Sequence, residues 1–161
     1  MEPILIIIRG NSGSGKTVLA DALQNYFGYD NCLLLHQDII RREILHAADH
    51  PGTATIGMIE TLVNYGLKHY SITILEGILR RDVYGKMLQK LISGNDVHTY
   101  YLDVPFETTV KRDQTKNSPF GEINLKKWWR EKDYLNQNDV IINSGNEKDI
   151  MMKIIKDISK K

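Results

Sequence analysis

Gly10-Asn11-Ser12-Gly13-Ser14-Gly15-Lys16-Thr17 fills every position of the pattern G-x-x-x-x-G-K-[ST]. Its flanks make it informative: the apolar run Ile4-Leu-Ile-Ile-Ile8 precedes it and a helical pattern follows. A strand feeding a glycine-rich loop and then a helix points a nest of backbone N–H groups at phosphate oxygens, and the helix adds the positive end of its dipole. In such a loop Gly10 to Gly15 wrap the phosphates, Lys16 reaches the terminal ones, and the Thr17 hydroxyl ligates Mg²⁺. The chain is expected to bind a nucleoside triphosphate together with Mg²⁺.

Beyond the loop, Val18, Leu19, Ala22, Leu23, Tyr26 and Phe27 recur at helical spacing, and Gly28 is placed to end that helix. Strands are expected at 32–36, 71–75, 98–104 and 140–142. Helices are expected at 39–45, 53–70, 83–92, from Pro105 onward, at 125–135 and at 150–158. Cys32 is expected to be a small buried strand residue, and Trp128 and Trp129 to pack with Leu125 in a core. Alternating strands and helices imply a parallel sheet covered on both faces, with ligand beyond the carboxyl ends of the strands. The phosphate loop, Asp38 and Glu76 all fall at those ends.

At 161 residues, 42% of them hydrophobic and 25% charged, the chain fits one domain, 1–161, without repeats. Lys and Arg total 21 against 20 Asp and Glu, and a formal charge of +1 argues against coating nucleic acid or an anionic membrane. The opening apolar run is too short for a signal peptide or a membrane span, so a soluble, cytoplasmic protein is expected. His46 and His50 stand at helical spacing, but without the Glu and third ligand of a zinc protease.

A nucleotide site transfers phosphate when it also holds a group to deprotonate an attacking hydroxyl and a carboxylate to organise the metal's water shell. Asp38 and Glu76 are the candidates. The alternatives are a helix N-cap for Asp38 and a turn carboxylate for Glu76. Asp103 competes for the metal role but is explained by a turn before Pro105. Arg41, Arg42, Arg80 and Arg81 are candidates to hold substrate, with one of each adjacent pair facing solvent. Seven basic residues lie between Lys111 and Lys132. Lys111-Arg112 and the loop 117–121 fit a lid, at about 111–127, that brings Arg112 to the migrating phosphate.

The chain resembles P-loop kinases of the nucleoside-kinase type, in particular the small kinases related to uridine kinase, polynucleotide kinase and the zeta toxins. The likeness is carried by Gly10 to Thr17, by His36-Gln-Asp38 with Ile40-Arg-Arg-Glu-Ile44, by Ile72-Thr-Ile-Leu-Glu-Gly-Ile-Leu-Arg80, and by Tyr101-Leu-Asp-Val-Pro-Phe-Glu107 leading to Lys111-Arg112. The resemblance implies an α/β fold, the P-loop NTPase three-layer sandwich with a five-stranded parallel sheet in the order 2-3-1-4-5. It further implies Asp38 as catalytic base, Glu76 near metal or substrate, Arg112 on the lid, and Asn143 near the adenine. The expected activity is transfer of the γ-phosphate of ATP to a hydroxyl of a small molecule: a nucleoside, nucleotide, sugar or antibiotic. The rivals are a polynucleotide-end kinase and a nucleotide-operated switch. The switch would recognise guanine through Asn-Lys-x-Asp after a strand, whereas Asn136-Gln-Asn-Asp139 lacks the lysine and precedes the strand.

Overall fold

In a computed structural model, which describes residues 2–135 and 139–160, the opening apolar run forms the central strand β1 (Ile4–Gly10). All of its residues are buried, as expected of a strand covered on both faces. The other strands are β2 (Cys32–His36), β3 (Ile72–Glu76), β4 (Asp96–Leu102) and β5 (Val140–Ile142). They form one five-stranded parallel sheet in the order 2-3-1-4-5, as expected.

The strands are linked by helices α1 (Lys16–Phe27), α2 (Gln37–Ile39), α3 (Ala54–His69), α4 (Arg81–Gly94), α5 (Phe106–Gln114), α6 (Glu122–Trp128) and α7 (Glu147–Ile158). Alternate side chains of β1 enter two separate cores. Ile4, Ile6 and Ile8 pack with Leu19 and Leu23 of α1 and Ile154 and Ile158 of α7. Leu5 and Ile7 pack with Ile59 and Val63 of α3 and Tyr84 and Leu88 of α4. The period-2 alternation of a strand thus builds helix, sheet and helix layers, each fully buried aliphatic side chain contributing about 1.5–3 kcal/mol. Cys32 lies in the first core, and burial pushes its thiol up to about 12.

The structure departs from the sequence expectation at several element boundaries. The helix expected at 39–45 widens after α2 into a π-helical turn, Ile40–Ile44, closed by the Leu45 N–H on the Ile40 carbonyl. β4 begins at Asp96 because it pairs along the whole of β1, from Ile4 to Gly10. The last helix begins at Glu147, where the Asn146 side chain accepts the Asp149 N–H at 2.9 Å as an N-cap. The helix expected at 125–135 spans only Glu122–Trp128, since the Arg130 N–H that would continue it is taken by Asn11 Oδ1 at 2.9 Å.

Among the described residues no helix is long and apolar enough to cross a membrane. Asn136, Gln137 and Asn138 of the guanine-type stretch lie outside the described residues. Asp139 accepts the Leu135 N–H at 2.6 Å and lies 4.0 Å from Arg9.

Candidate active site

Register sets the site. His36, Glu76 and Ile8 are aligned partners on three adjacent strands, so the carboxyl ends of β2 and β3 flank the loop that leaves β1. Above them lies a cavity of about 460 Å³ lined by parts of the phosphate loop, Asp21, His36, Asp38, Ile39, Glu76 to Ile78, Lys116 and Phe120.

Glycine is required at Gly10, where a Cβ would stand 2.7 Å from the Leu102 carbonyl oxygen, and at two further loop positions. Gly15 caps α1 at φ +97, a conformation that favours glycine, and no side chain caps that helix. At Gly13 a Cβ would stand 3.0 Å from the Thr109 carbonyl oxygen of α5. The α1 N-terminus, with no acidic residue in its first turn, therefore faces the cavity as an anion-binding end.

Lys16, the first residue of α1, is only 7% exposed. Its Nζ donates to the Asn11 carbonyl at 2.8 Å and lies 3.5 Å from Ser14 Oγ. Burial draws the ammonium below its ordinary range; the charges of Glu76 and Asp38 oppose that shift and Lys116 adds to it. Thr17 Oγ1 donates to Glu76 Oε1 at 3.3 Å, so a hydroxyl and a carboxylate stand side by side on the cavity wall. This hard oxygen pair suits Mg²⁺.

Glu76 is buried as the last residue of β3 and lines the cavity. Its Oε1 also meets His36 Nδ1 at 2.7 Å, and His36 Nε2 lies 3.5 Å from Asp21. The bond to Glu76 raises the His36 pKa above its ordinary value, against burial. His36 carried no role in the sequence reading, although its place at a strand end two residues before Asp38 was a signal.

Asp38 does not cap α2. The cap position belongs to His36, and the Asp38 carboxylate is half exposed in the cavity, 3.4 Å from Arg41 Nη2 and 3.7 Å from Arg42 Nε. Arg80 forks onto Asp82, and none of Arg41, Arg42, Arg80 and Arg81 is among the residues that line the cavity. In each adjacent pair one arginine is more open: Arg42 at 43% against Arg41 at 14%, and Arg81 at 61% against Arg80 at 24%. Asp103 accepts the Tyr134 hydroxyl at 2.6 Å and does not line the cavity. Asn143 is exposed just past β5.

Arg112, in the last turn of α5, lies on the phosphate loop itself, its Nη1 donating to the Ser14 carbonyl at 2.8 Å. One residue later, buried Asp113 accepts the N–H groups of Phe120 and Gly121 at 3.2 and 2.9 Å and holds Lys116 at 3.3 Å, which closes residues 114–121 into a compact loop. Trp128 and Trp129 are half-buried and stand outside both cores, edge-on to Phe120 and Phe106. Two further anchors escaped the sequence reading. The Asn11 amide donates to the Arg130 carbonyl at 2.7 Å, and Arg9, 1% exposed, donates to the Leu79 carbonyl and to Asp133.

Comparison with known proteins agrees with the fold. An APS kinase of Mycobacterium tuberculosis, in complex with AMPPNP and APS, superposes with a TM-score of 0.73 at 14% identity, covering 99% of each chain. Shikimate kinase from Acinetobacter baumannii, in complex with shikimate, superposes with a TM-score of 0.59 at 20% identity, covering 97% of this chain and 92% of that one. A chain of the Pnkp1/Rnl/Hen1 RNA repair complex gives 0.56 at 24% identity, over 78% of this chain and 42% of that one. The fold is that of P-loop kinases. No curated protein matches the sequence. Residues 1–112, which carry β1 to β4, the phosphate loop, Asp38, Glu76 and Arg112, match the family model described as zeta toxin, and the chain belongs to that family.

Proposed function

We propose that the protein is an ATP- and Mg²⁺-dependent kinase that transfers the γ-phosphate to a hydroxyl of a small molecule. The observation that carries the proposal is the single cavity in which the phosphate loop, the Thr17–Glu76 oxygen pair and the half-exposed carboxylate of Asp38 meet. Lys16 neutralises the terminal phosphates, and Thr17 and Glu76 hold Mg²⁺, which supplies charge neutralisation across the phosphates when bound. Asp38 takes the proton of the acceptor hydroxyl as its oxygen bonds to the γ-phosphorus. The bond from that phosphorus to the β-phosphate oxygen breaks and ADP leaves. Arg112, on the lid formed by 111–127, braces the loop and offsets charge on the migrating group. Asn143 lies on the adenine side.

The test is an ATP-consumption screen over nucleosides, nucleotides, sugars and antibiotics, with Lys16→Met as control. Acceptor-dependent ADP release that falls at least about a hundredfold in the control supports the proposal. Full turnover by Lys16→Met at saturating ATP would refute it.

A polynucleotide end is the second reading, favoured by the exposed lysines 111, 126, 127 and 132. It predicts a steep salt dependence, about a thousandfold loss of affinity between low and moderate salt for six or more phosphate contacts. The small-molecule reading predicts a shallow one.

A further inference from the structure

We infer that buried Arg9 is a positioning residue for phosphate transfer: with Asp133 it forms a joint that holds the base of the lid and the cavity wall after β3 in place on the phosphate-loop strand. The inference rests on the kinase reading of the cavity and adds to it a residue that does not itself line the cavity. Strand alternation puts Arg9 on the face of β1 that carries Leu5 and Ile7, immediately before Gly10 opens the loop. From there its guanidinium reaches two distant segments. Nε and Nη2 both donate to the Leu79 carbonyl, at 3.1 and 2.9 Å. Nη1 donates to the Asp133 carbonyl at 2.7 Å, and Nη2 donates to Asp133 Oδ2 at 2.8 Å.

Both partners belong to segments that shape the site. Leu79 follows Ile78, which lines the cavity, and takes a left-handed conformation (φ 46) that a leucine adopts only where its surroundings enforce it. Asp133 lies on the chain that returns from the lid. Its Oδ2 also accepts the Arg81 N–H at 2.9 Å and so caps α4, whose own N-cap residue, Arg80, makes no side-chain cap bond. Beside this joint Asn11 grips both backbone groups of Arg130, at 2.7 and 2.9 Å. The end of β1 and the start of its loop thus hold the returning chain at neighbouring points.

Stability alone does not call for an arginine here. Replacing a buried ion pair by apolar side chains of similar volume is often neutral, because taking the charges out of water offsets their attraction. Burial draws the Arg9 guanidinium below its ordinary value, and the charges of Asp133 and Asp139 oppose that shift. What an apolar side chain lacks is direction. A planar fork of N–H donors fixes the Leu79 carbonyl and Asp133 at set distances and angles from the strand that feeds the phosphate loop. Positioning of this kind matters to rate, since a misplacement of about 1 Å that arises far from the reacting atoms costs about a hundredfold.

The experiment compares the parent protein with Arg9→Lys and with the double variant Arg9→Met/Asp133→Asn, which removes both charges and keeps an acceptor for the Arg81 N–H. Thermal melts follow the fold, and calorimetry follows binding of AMPPNP with Mg²⁺. Acrylamide quenching of Trp128 and Trp129, the chain's two tryptophans, reports how the base of the lid is held. The kcat and the KM for ATP are measured on the best acceptor from a panel of nucleosides, nucleotides, sugars and antibiotics. The double variant is expected to melt cooperatively, to bind AMPPNP within about threefold of the parent, to lose at least about tenfold in kcat, and to raise the quenching constant of the AMPPNP complex about twofold. Arg9→Lys keeps the charge without the fork and should fall between the two. A folded double variant with parental kcat and quenching overturns the inference, and so does a loss of AMPPNP affinity as large as the loss in kcat. If the double variant does not fold, Arg9→Lys decides: a lowered kcat with parental AMPPNP affinity supports the inference, and parental kcat and quenching overturn it. A parent protein that binds AMPPNP and transfers phosphate to no member of the panel would instead bring down the kinase reading, and the positioning role with it.

Discussion

His36 Nδ1 and Glu76 Oε1 stand 2.7 Å apart where two neighbouring parallel strands end in register. The same carboxylate oxygen accepts the Thr17 hydroxyl, so the imidazole is wired to the loop through one atom. The contact raises the His36 pKa. Because the folded value lies above that of the unfolded chain, the stabilisation is complete below the ordinary histidine value of about 6.5 and is lost as pH rises through the folded value. Urea midpoints measured from about pH 5 to about pH 9 should therefore fall in the parent by an increment that His36→Gln lacks. Parallel curves for the two proteins would remove this linkage.

Asp38→Asn should leave the fold and ATP affinity intact and lower transfer about a hundredfold, the usual scale for loss of a general base. The structure sharpens this expectation: Asp38 caps nothing and is half exposed, so its stability cost should be within about 0.5 kcal/mol. Early melting with normal turnover of the folded fraction would return Asp38 to a structural role. Thermal melts and single-turnover transfer on the same preparation decide it.

Much of this site was legible because its parts end strands. The loop between β1 and α1 is continuous in sequence, and Glu76 and Asp38 fall at the carboxyl ends of apolar runs that a parallel sheet aligns. The parts that escaped lie at long range. Asn11 meets Arg130 across 119 residues and Arg9 meets Asp133 across 124, contacts that periodicity does not carry. The same contacts explain why the helix expected to reach Leu135 stops at Trp128: local propensity favoured continuation, and the Asn11 side chain took the N–H that continuation needed. Phe120 lay in a stretch that read only as loop punctuation, and its place in the cavity wall depends on Asp113 folding 114–121 back.

Asn11→Ala should destabilise the protein by about 1–3 kcal/mol, because it leaves the N–H and carbonyl of Arg130 without their partner. Asn11→Asp keeps the acceptor and loses the donor, so its cost should be intermediate. Chemical denaturation of the three proteins checks the order. Equal midpoints would mean that water replaces both bonds and that the anchor is dispensable.

Arg112→Ala separates two consequences of one contact. The guanidinium donates to the Ser14 carbonyl at 2.8 Å and stands close to Gly15, where a Cβ would lie 3.3 Å from Nη1. If its charge acts on the migrating phosphate, kcat falls about a hundredfold while the KM for ATP moves less than about threefold, since the interaction strengthens in the transition state. If it only braces the loop, ATP affinity falls and kcat at saturation holds. Arg112→Lys keeps the charge on a single point and loses the planar fork, so it should recover part of kcat. The first pattern is expected, because Arg112 lies at the mouth of the phosphate loop and is exposed, with little core packing to lose. Steady-state kinetics with ATP varied at saturating acceptor distinguishes the two, and an unchanged kcat would confine Arg112 to bracing the loop.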